Sequence, residues 1–143
     1  KKNTRNIKNF LYILEPINNS IEFDALKKFF IFLKRLNLEK KINIIFKLHP
    51  RESLGKYRKK LNLFKDYKYK IIKDHDIKKL LIWSHIIFGL RSYALVLGFL
   101  AKRPIYSLLP IKTFKNTIPY KIKSLNKITK KQMLNIIKNY NVN

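Results

Sequence analysis

The stretch Ile42-Asn43-Ile44-Ile45-Phe46-Lys47-Leu48-His49-Pro50-Arg51-Glu52 decides how the rest of the chain is read. Three of its first six residues are β-branched isoleucines and a fourth is Phe46, the mostly apolar pattern of a strand covered on both faces rather than one. His49-Pro50 stops it, because proline has no amide for a ladder and restricts the residue before it. A strand of this kind belongs in a parallel sheet, so helices must alternate with its neighbours.

Working outward, that alternation is found. Asn9 to Leu14 is a second apolar run, closed by Glu15-Pro16. Asn19 stands three residues before Glu22, the arrangement of a helix N-cap with a reciprocal acidic partner, and Leu26, Phe29, Phe30, Leu33 and Leu36 follow at helical spacing. After the central stretch, Ser53 to Phe64 reads as a Lys-rich surface helix with Leu54, Tyr57, Leu61 and Phe64 on its inner side, and Tyr67 to Lys73 as a third strand. Asp76 caps a brief helix to Trp83, and His85 to Phe88 forms a fourth strand ending at Gly89. Ser92 opens an apolar helix to Ala101, and Pro104 to Leu108 is a fifth strand. Lys112 to Lys127, punctuated by Pro119, reads as an irregular surface path; Thr129 and Gln132 then form a capping box for a last helix to about Tyr140. The apolar stretch Leu80 to Ala101 carries Arg91 and Ser92 at its centre, and a charge at mid-span is costly, so it divides into strand, turn and helix instead of crossing a membrane.

The expected architecture is α/β: a Rossmann-like three-layer sandwich over residues 1–143, with about five parallel strands in the order 3-2-1-4-5 and helices on both faces. At 143 residues and 46% apolar content the chain can bury one domain core. The absence of cysteine excludes a disulfide scaffold, a thiolate metal site and a cysteine nucleophile. The formal charge of +25 invites a polyanion partner. Lys, Ile and Asn fill 62 of the 143 positions, however, against 3 Ala and 3 Gly, which is what A/T-rich coding produces unaided. Only 6 of the 33 basic residues are Arg, the side chain suited to reading bases, and the lysines are scattered, which argues against nucleic acid. Lys1 at the start and Met133 as the one methionine lead us to expect a processed form or a piece of a longer protein. The opening residues carry no signal-peptide pattern, so a cytoplasmic location is expected.

In an open parallel sheet, ligands sit beyond the carboxyl ends of the strands where strand order reverses. That places Glu15 after the first strand, His49 and Arg51 after the second, and Gly89, Arg91 and Ser92 after the fourth at one crevice. Gly89 permits close backbone approach, and a helix opening at Ser92 would offer free amides to a phosphate. The His49 imidazole can donate to a phosphate oxygen, and a guanidinium at Arg51 or Arg91 can pair with a second one. Neither a P-loop nor a Gly-x-Gly-x-x-Gly sequence is present. The three histidines share no ligand spacing, so no metal is expected. His75 and His85 read as structural or solvent-facing, and Phe29, Phe30 and Phe32 as core rather than a base-stacking platform.

Lys47-Leu48-His49-Pro50-Arg51-Glu52, then Phe88-Gly89-Leu90-Arg91-Ser92-Tyr93-Ala94-Leu95, then Ala101-Lys102-Arg103-Pro104-Ile105-Tyr106-Ser107 together resemble the C-terminal half of GT-B glycosyltransferases. The likeness is nearest to bacterial sialyltransferase and polysialyltransferase groups, with their His-Pro and Ser-Ser or Ser-Thr motifs, and weaker to the sugar-nucleotide epimerase fold. It implies that His49 and Ser92 contact the donor phosphate, with Tyr93 standing where a second hydroxyl residue is usual. No Asp or Glu follows Asp76, so the late acidic residue that holds the ribose in many GT-B proteins has no counterpart. The resemblance further implies a nucleotide-sugar co-substrate, CMP-sialic acid-like or UDP-linked, and no separate cofactor. A glycan or glycolipid acceptor and the catalytic base would belong to an N-terminal domain, in the synthesis of capsule, lipopolysaccharide or other surface polysaccharide. A lysine-rich face could hold such an enzyme at the inner face of an anionic membrane. The alternatives are a non-catalytic basic module for nucleic acid or membrane, and an epimerase-like enzyme of the same architecture. A receiver-like domain is disfavoured because only Glu15 stands where it needs an acidic cluster.

Overall fold

The computed structural model describes residues 7–73, 76–91, 98, 101–108, 123–125 and 128–139. Six parallel strands form one sheet in the order β3-β2-β1-β4-β5-β6. They are β1 (Lys8–Ile13), β2 (Ile42–Lys47), β3 (Lys68–Ile72), β4 (Ile86–Gly89), β5 (Ile105–Ser107) and β6 (Lys123–Ser124). The helices are α1 (Asn19–Leu36), α2 (Leu54–Leu61), α3 (Ile77–Trp83) and α4 (Lys130–Asn139). The expected Rossmann-like order is present, extended by a sixth strand.

The inner strands β1, β2 and β4 are largely apolar because both of their faces are covered, whereas β3, at the sheet edge, is partly exposed. Phe10 and Tyr12 of β1 point into one layer with Phe29, Leu33, Phe46, Tyr57, Phe64, Phe88 and Met133, packed under α1, α2 and α4. The alternate residues Leu11 and Ile13 point into the other, with Ile45, Ile87, Ile105 and Leu80 and Leu81 of α3. On that second side helical Gly98 lies so close that a Cβ would meet Ile87 Cδ1 at 2.6 Å. The Phe29 ring is the hub of the first layer, with centroids 4.9 Å from Tyr12, 4.8 Å from Phe88 and 5.8 Å from Phe64. Phe29 and Phe32 are therefore core, as expected from their spacing, and removing the Phe29 ring would cost about 3–5 kcal/mol.

Four local expectations need correction. β6 lies within the stretch expected to be irregular: Tyr106 pairs with Lys123 and Ser107 with Ser124, a two-residue ladder held by main-chain bonds. The cap of α1 is Asn18, not Asn19; its side chain accepts from the Ser20 amide at 2.8 Å. Glu22 does not fold back on the helix start, because it is engaged elsewhere. Leu54 is 40% exposed and does not join Tyr57, Leu61 and Phe64 in the core. The capping box of α4 forms as expected, with Thr129 N donating to Gln132 Oε1 at 2.9 Å and Gln132 N to Thr129 Oγ1 at 3.1 Å. The helix expected from Ser92 lies outside the described residues apart from Gly98, which is helical, and Ala101, which is in a turn. Among the described residues no helix is long and apolar enough to cross a membrane.

Candidate functional site

β1 lies between β2 and β4, so the chain reverses its direction of winding there. Ile13 is level with Lys47, and Tyr12 with Phe88, which brings the loops after these three strands to one end of the sheet. This is the switch-point crevice where such folds take ligands. Three of its loops carry the residues singled out by sequence.

The loop after β2 is a tight turn. Glu52 N donates to the His49 carbonyl at 2.9 Å, and Arg51 N donates to His49 Nδ1 at 3.1 Å. With Nδ1 accepting, a ring proton can stand only on Nε2, so the half-buried ring can present a donor to its surroundings. Arg51 is exposed beside it. Lys47 braces the base of the turn, its ammonium donating to the carbonyls of Leu48 at 2.9 Å and Lys73 at 2.6 Å.

The loop after β4 is joined to the one after β1. Gly89 is buried, and its carbonyl accepts from Leu108 N at 2.8 Å. Two residues on, the Arg91 amide donates to Glu15 Oε1 at 2.6 Å, while the rest of Arg91 is exposed. The amides after Gly89 were expected to await a phosphate; that of Arg91 is engaged by the chain's own carboxylate. Glu15, 7% exposed, thus ties two loops of the crevice together. Ser92, Tyr93 and His75 lie outside the described residues. His85 is at the other end of the sheet, where Nδ1 accepts from Asn9 N at 2.8 Å, a structural role.

Behind these loops lies a polar cluster that sequence reading missed. Glu22 is fully buried. Its Oε1 accepts from the Glu15 amide at 2.9 Å, and the Tyr57 hydroxyl lies 2.8 Å from both carboxylate oxygens. Lys56 Nζ stands 3.7 Å from Glu22 and 2.8 Å from Glu52, at the end of the His49 turn. Burial raises the Glu22 carboxyl above its ordinary range, while the Tyr57 hydroxyl, the Glu15 amide and the Lys56 ammonium pull it back. A signal for Glu22 was available: it is in phase with Leu26, Phe29 and Leu33, a carboxylate on the buried stripe of an amphipathic helix. Such a residue needs partners, since an unpaired buried charge is strongly destabilising.

Chemically, the crevice offers a ring nitrogen of His49 and two exposed guanidinium groups, a set suited to the oxygens of an anionic ligand.

No family model matches the chain, and no curated protein does. Solved structures do. A protein assigned as a UDP-N-acetylglucosamine 2-epimerase from Listeria monocytogenes aligns over 96% of this chain and 38% of its own, with a TM-score of 0.59 and 12% identity. A chain in the structure of accessory secretory protein 1, 2 and 3 from Streptococcus pneumoniae aligns over 91% of this chain and 27% of its own, with a TM-score of 0.55 and 16% identity. The chain spans less than two fifths of the length of either neighbour. At these identities the likeness is one of fold: an open, parallel, Rossmann-like α/β sheet.

Proposed function

We propose that the chain is the donor-nucleotide-binding domain of a GT-B-type enzyme acting on a nucleotide sugar, and that the enzyme is a glycosyltransferase of bacterial surface polysaccharide synthesis. The observation that carries this reading is the His49 turn, in which the Arg51 amide takes Nδ1 and leaves Nε2 to address a ligand, after β2 at the end of the sheet where β1, β2 and β4 meet. The neighbours support it at the level of architecture, since each is longer than this chain and accommodates it as one part. His49 donates to a phosphate oxygen of the donor, Arg51 and Arg91 balance its charge, and Ser92 and Tyr93 add hydroxyl contacts. Stabilising the departing phosphate is the chemical work of this half. The acceptor, a glycan or glycolipid, and the catalytic base belong to a partner domain. Glu15 acts within the chain, holding the Arg91 amide in place.

The Listeria neighbour favours a second reading, a sugar-nucleotide epimerase-like activity on the same scaffold. The two separate in one assay on the longest native protein that contains this chain. A transferase consumes the nucleotide sugar only when an acceptor is present, whereas an epimerase interconverts it alone. A protein that binds anionic vesicles or nucleic acid in a strongly salt-dependent way, and is indifferent to His49→Ala, would be the basic module instead.

A further inference from the structure

We propose that Glu22 is the positioning residue of the crevice: from its buried place on α1 it holds the loops after β1, β2 and β4 in one mutual arrangement. The nucleotide-binding consequence rests on the function proposed above; the positioning itself does not.

The geometry of the links carries the argument. Glu22 Oε1 takes the Glu15 amide, fixing the backbone at the tip of β1. That same Glu15 sends its side chain to the Arg91 amide, so the β4 loop is held through one intervening residue. On the other side, Glu22 receives the Tyr57 hydroxyl and faces the Lys56 ammonium, both in the first half of α2. Lys56 in turn grips Glu52, whose amide closes the His49 turn. One carboxylate thus reaches all three loops, each through no more than two further residues. Glu15 and Glu22 are both nearly or wholly excluded from water, so these bonds compete little with solvent.

A residue serving only the core would be better apolar, since a well-packed hydrophobic group often matches or exceeds a buried ionic one in stability. Leucine at position 22 would continue the stripe of Leu26, Phe29 and Leu33. It could accept no hydrogen bond from Glu15 or Tyr57, and the loops would lose their common anchor. What the carboxylate adds is a defined arrangement of groups that a ligand needs preorganised.

The test compares Glu22→Leu and Tyr57→Phe with Leu36→Ala in the 143-residue chain. Leu36 is a core residue about 21 Å further along α1, so it reports loss of stability without loss of the anchor. Amide hydrogen exchange of Arg91 and Arg51 is read by NMR, and UDP and CMP are titrated into each variant. We expect exchange at both amides to rise at least tenfold more in Glu22→Leu than in Leu36→Ala, with nucleotide affinity falling about tenfold in the former alone. Tyr57→Phe, which keeps the Glu15 bond, should raise exchange at Arg51 more than at Arg91, and it decides the question if Glu22→Leu does not fold. Exchange at the two amides that follows global stability alike in all three variants overturns the proposal. If wild type takes neither UDP nor CMP, the functional reading fails, and the exchange comparison still judges Glu22.

Discussion

The Tyr57 hydroxyl lies 2.8 Å from both carboxylate oxygens of Glu22, a residue 35 positions earlier in the chain, and the pair is buried. The contact crosses from α2 to α1 and joins a neutral donor to a carboxylate, the stronger class of hydrogen bond. The same carboxylate raises the Tyr57 hydroxyl well above its ordinary range, behind burial itself as the larger cause, so Tyr57 remains a donor at every working pH. Tyr57→Phe should therefore destabilise the chain by about 1.5–3 kcal/mol in chemical denaturation. A loss under about 0.5 kcal/mol would mean that the contact is not maintained in solution.

Tyr12 predicts the opposite sign. Its ring is fully buried against Phe29 and Phe46, and its hydroxyl has no hydrogen-bond partner among the described residues. Burial and then the nearby Glu22 and Glu15 carboxylates keep it protonated. A buried hydroxyl without a partner carries a desolvation cost, which Tyr12→Phe removes while leaving the ring in place. We expect that variant to be as stable as wild type or more so, by about 1 kcal/mol. Thermal melting decides it, with a fall in Tm counting against the unpartnered placement.

At the far end of the sheet His85 supplies a pH dependence. Its Nδ1 accepts from Asn9 N and its own amide donates to Asn9 O, both at 2.8 Å, joining β1 to the entry of β4. Burial, and then the charges of Lys8 and Arg103, hold its pKa below the ordinary 6.5. Between the folded and unfolded values the unfolded chain binds the extra proton, so stability rises with pH through that window and falls as pH drops below about 6.5. His85→Asn keeps an acceptor near the Nδ1 position and cannot titrate. Denaturation at pH 7.5 and 5.5 should show the difference between wild type and variant shrinking or reversing on acidification. A difference independent of pH would contradict the assigned shift.

The parts of the fold that were legible share a physical cause. β2 could be read because a strand covered on both faces is largely apolar, as Ile42, Ile44, Ile45 and Phe46 are, and the order of the first five strands is the common one for such folds. β6 could not: Lys123-Ser124 pairs through main-chain groups, which every sequence possesses. His49, Arg51, Glu15 and Arg91 were found by topology, since the switch point follows from strand order alone. Glu22 was hidden by a rival local explanation, the capping box with Asn19, whereas the helix is capped by Asn18 and the carboxylate turns inward. Its phase with Leu26, Phe29 and Leu33 favoured the inward reading, and the tertiary approach of Tyr57 decides it. The Glu15 bond to Arg91 was equally illegible, because it links residues 76 apart through a side chain that sequence could only place beside a proline.

The account turns on whether the His49 crevice binds a nucleotide. The most direct measurement is calorimetric titration of UDP and CMP into the wild-type chain and His49→Ala, at two salt concentrations, with thermal melting of both. His49 is a half-buried turn residue, so the variant should melt within a few degrees of wild type. The account predicts saturable binding of at least one of the two nucleotides, weakened tenfold or more by the substitution, equivalent to about 1.4 kcal/mol. Equal affinity in both proteins, or binding that vanishes with salt regardless of His49, would contradict it.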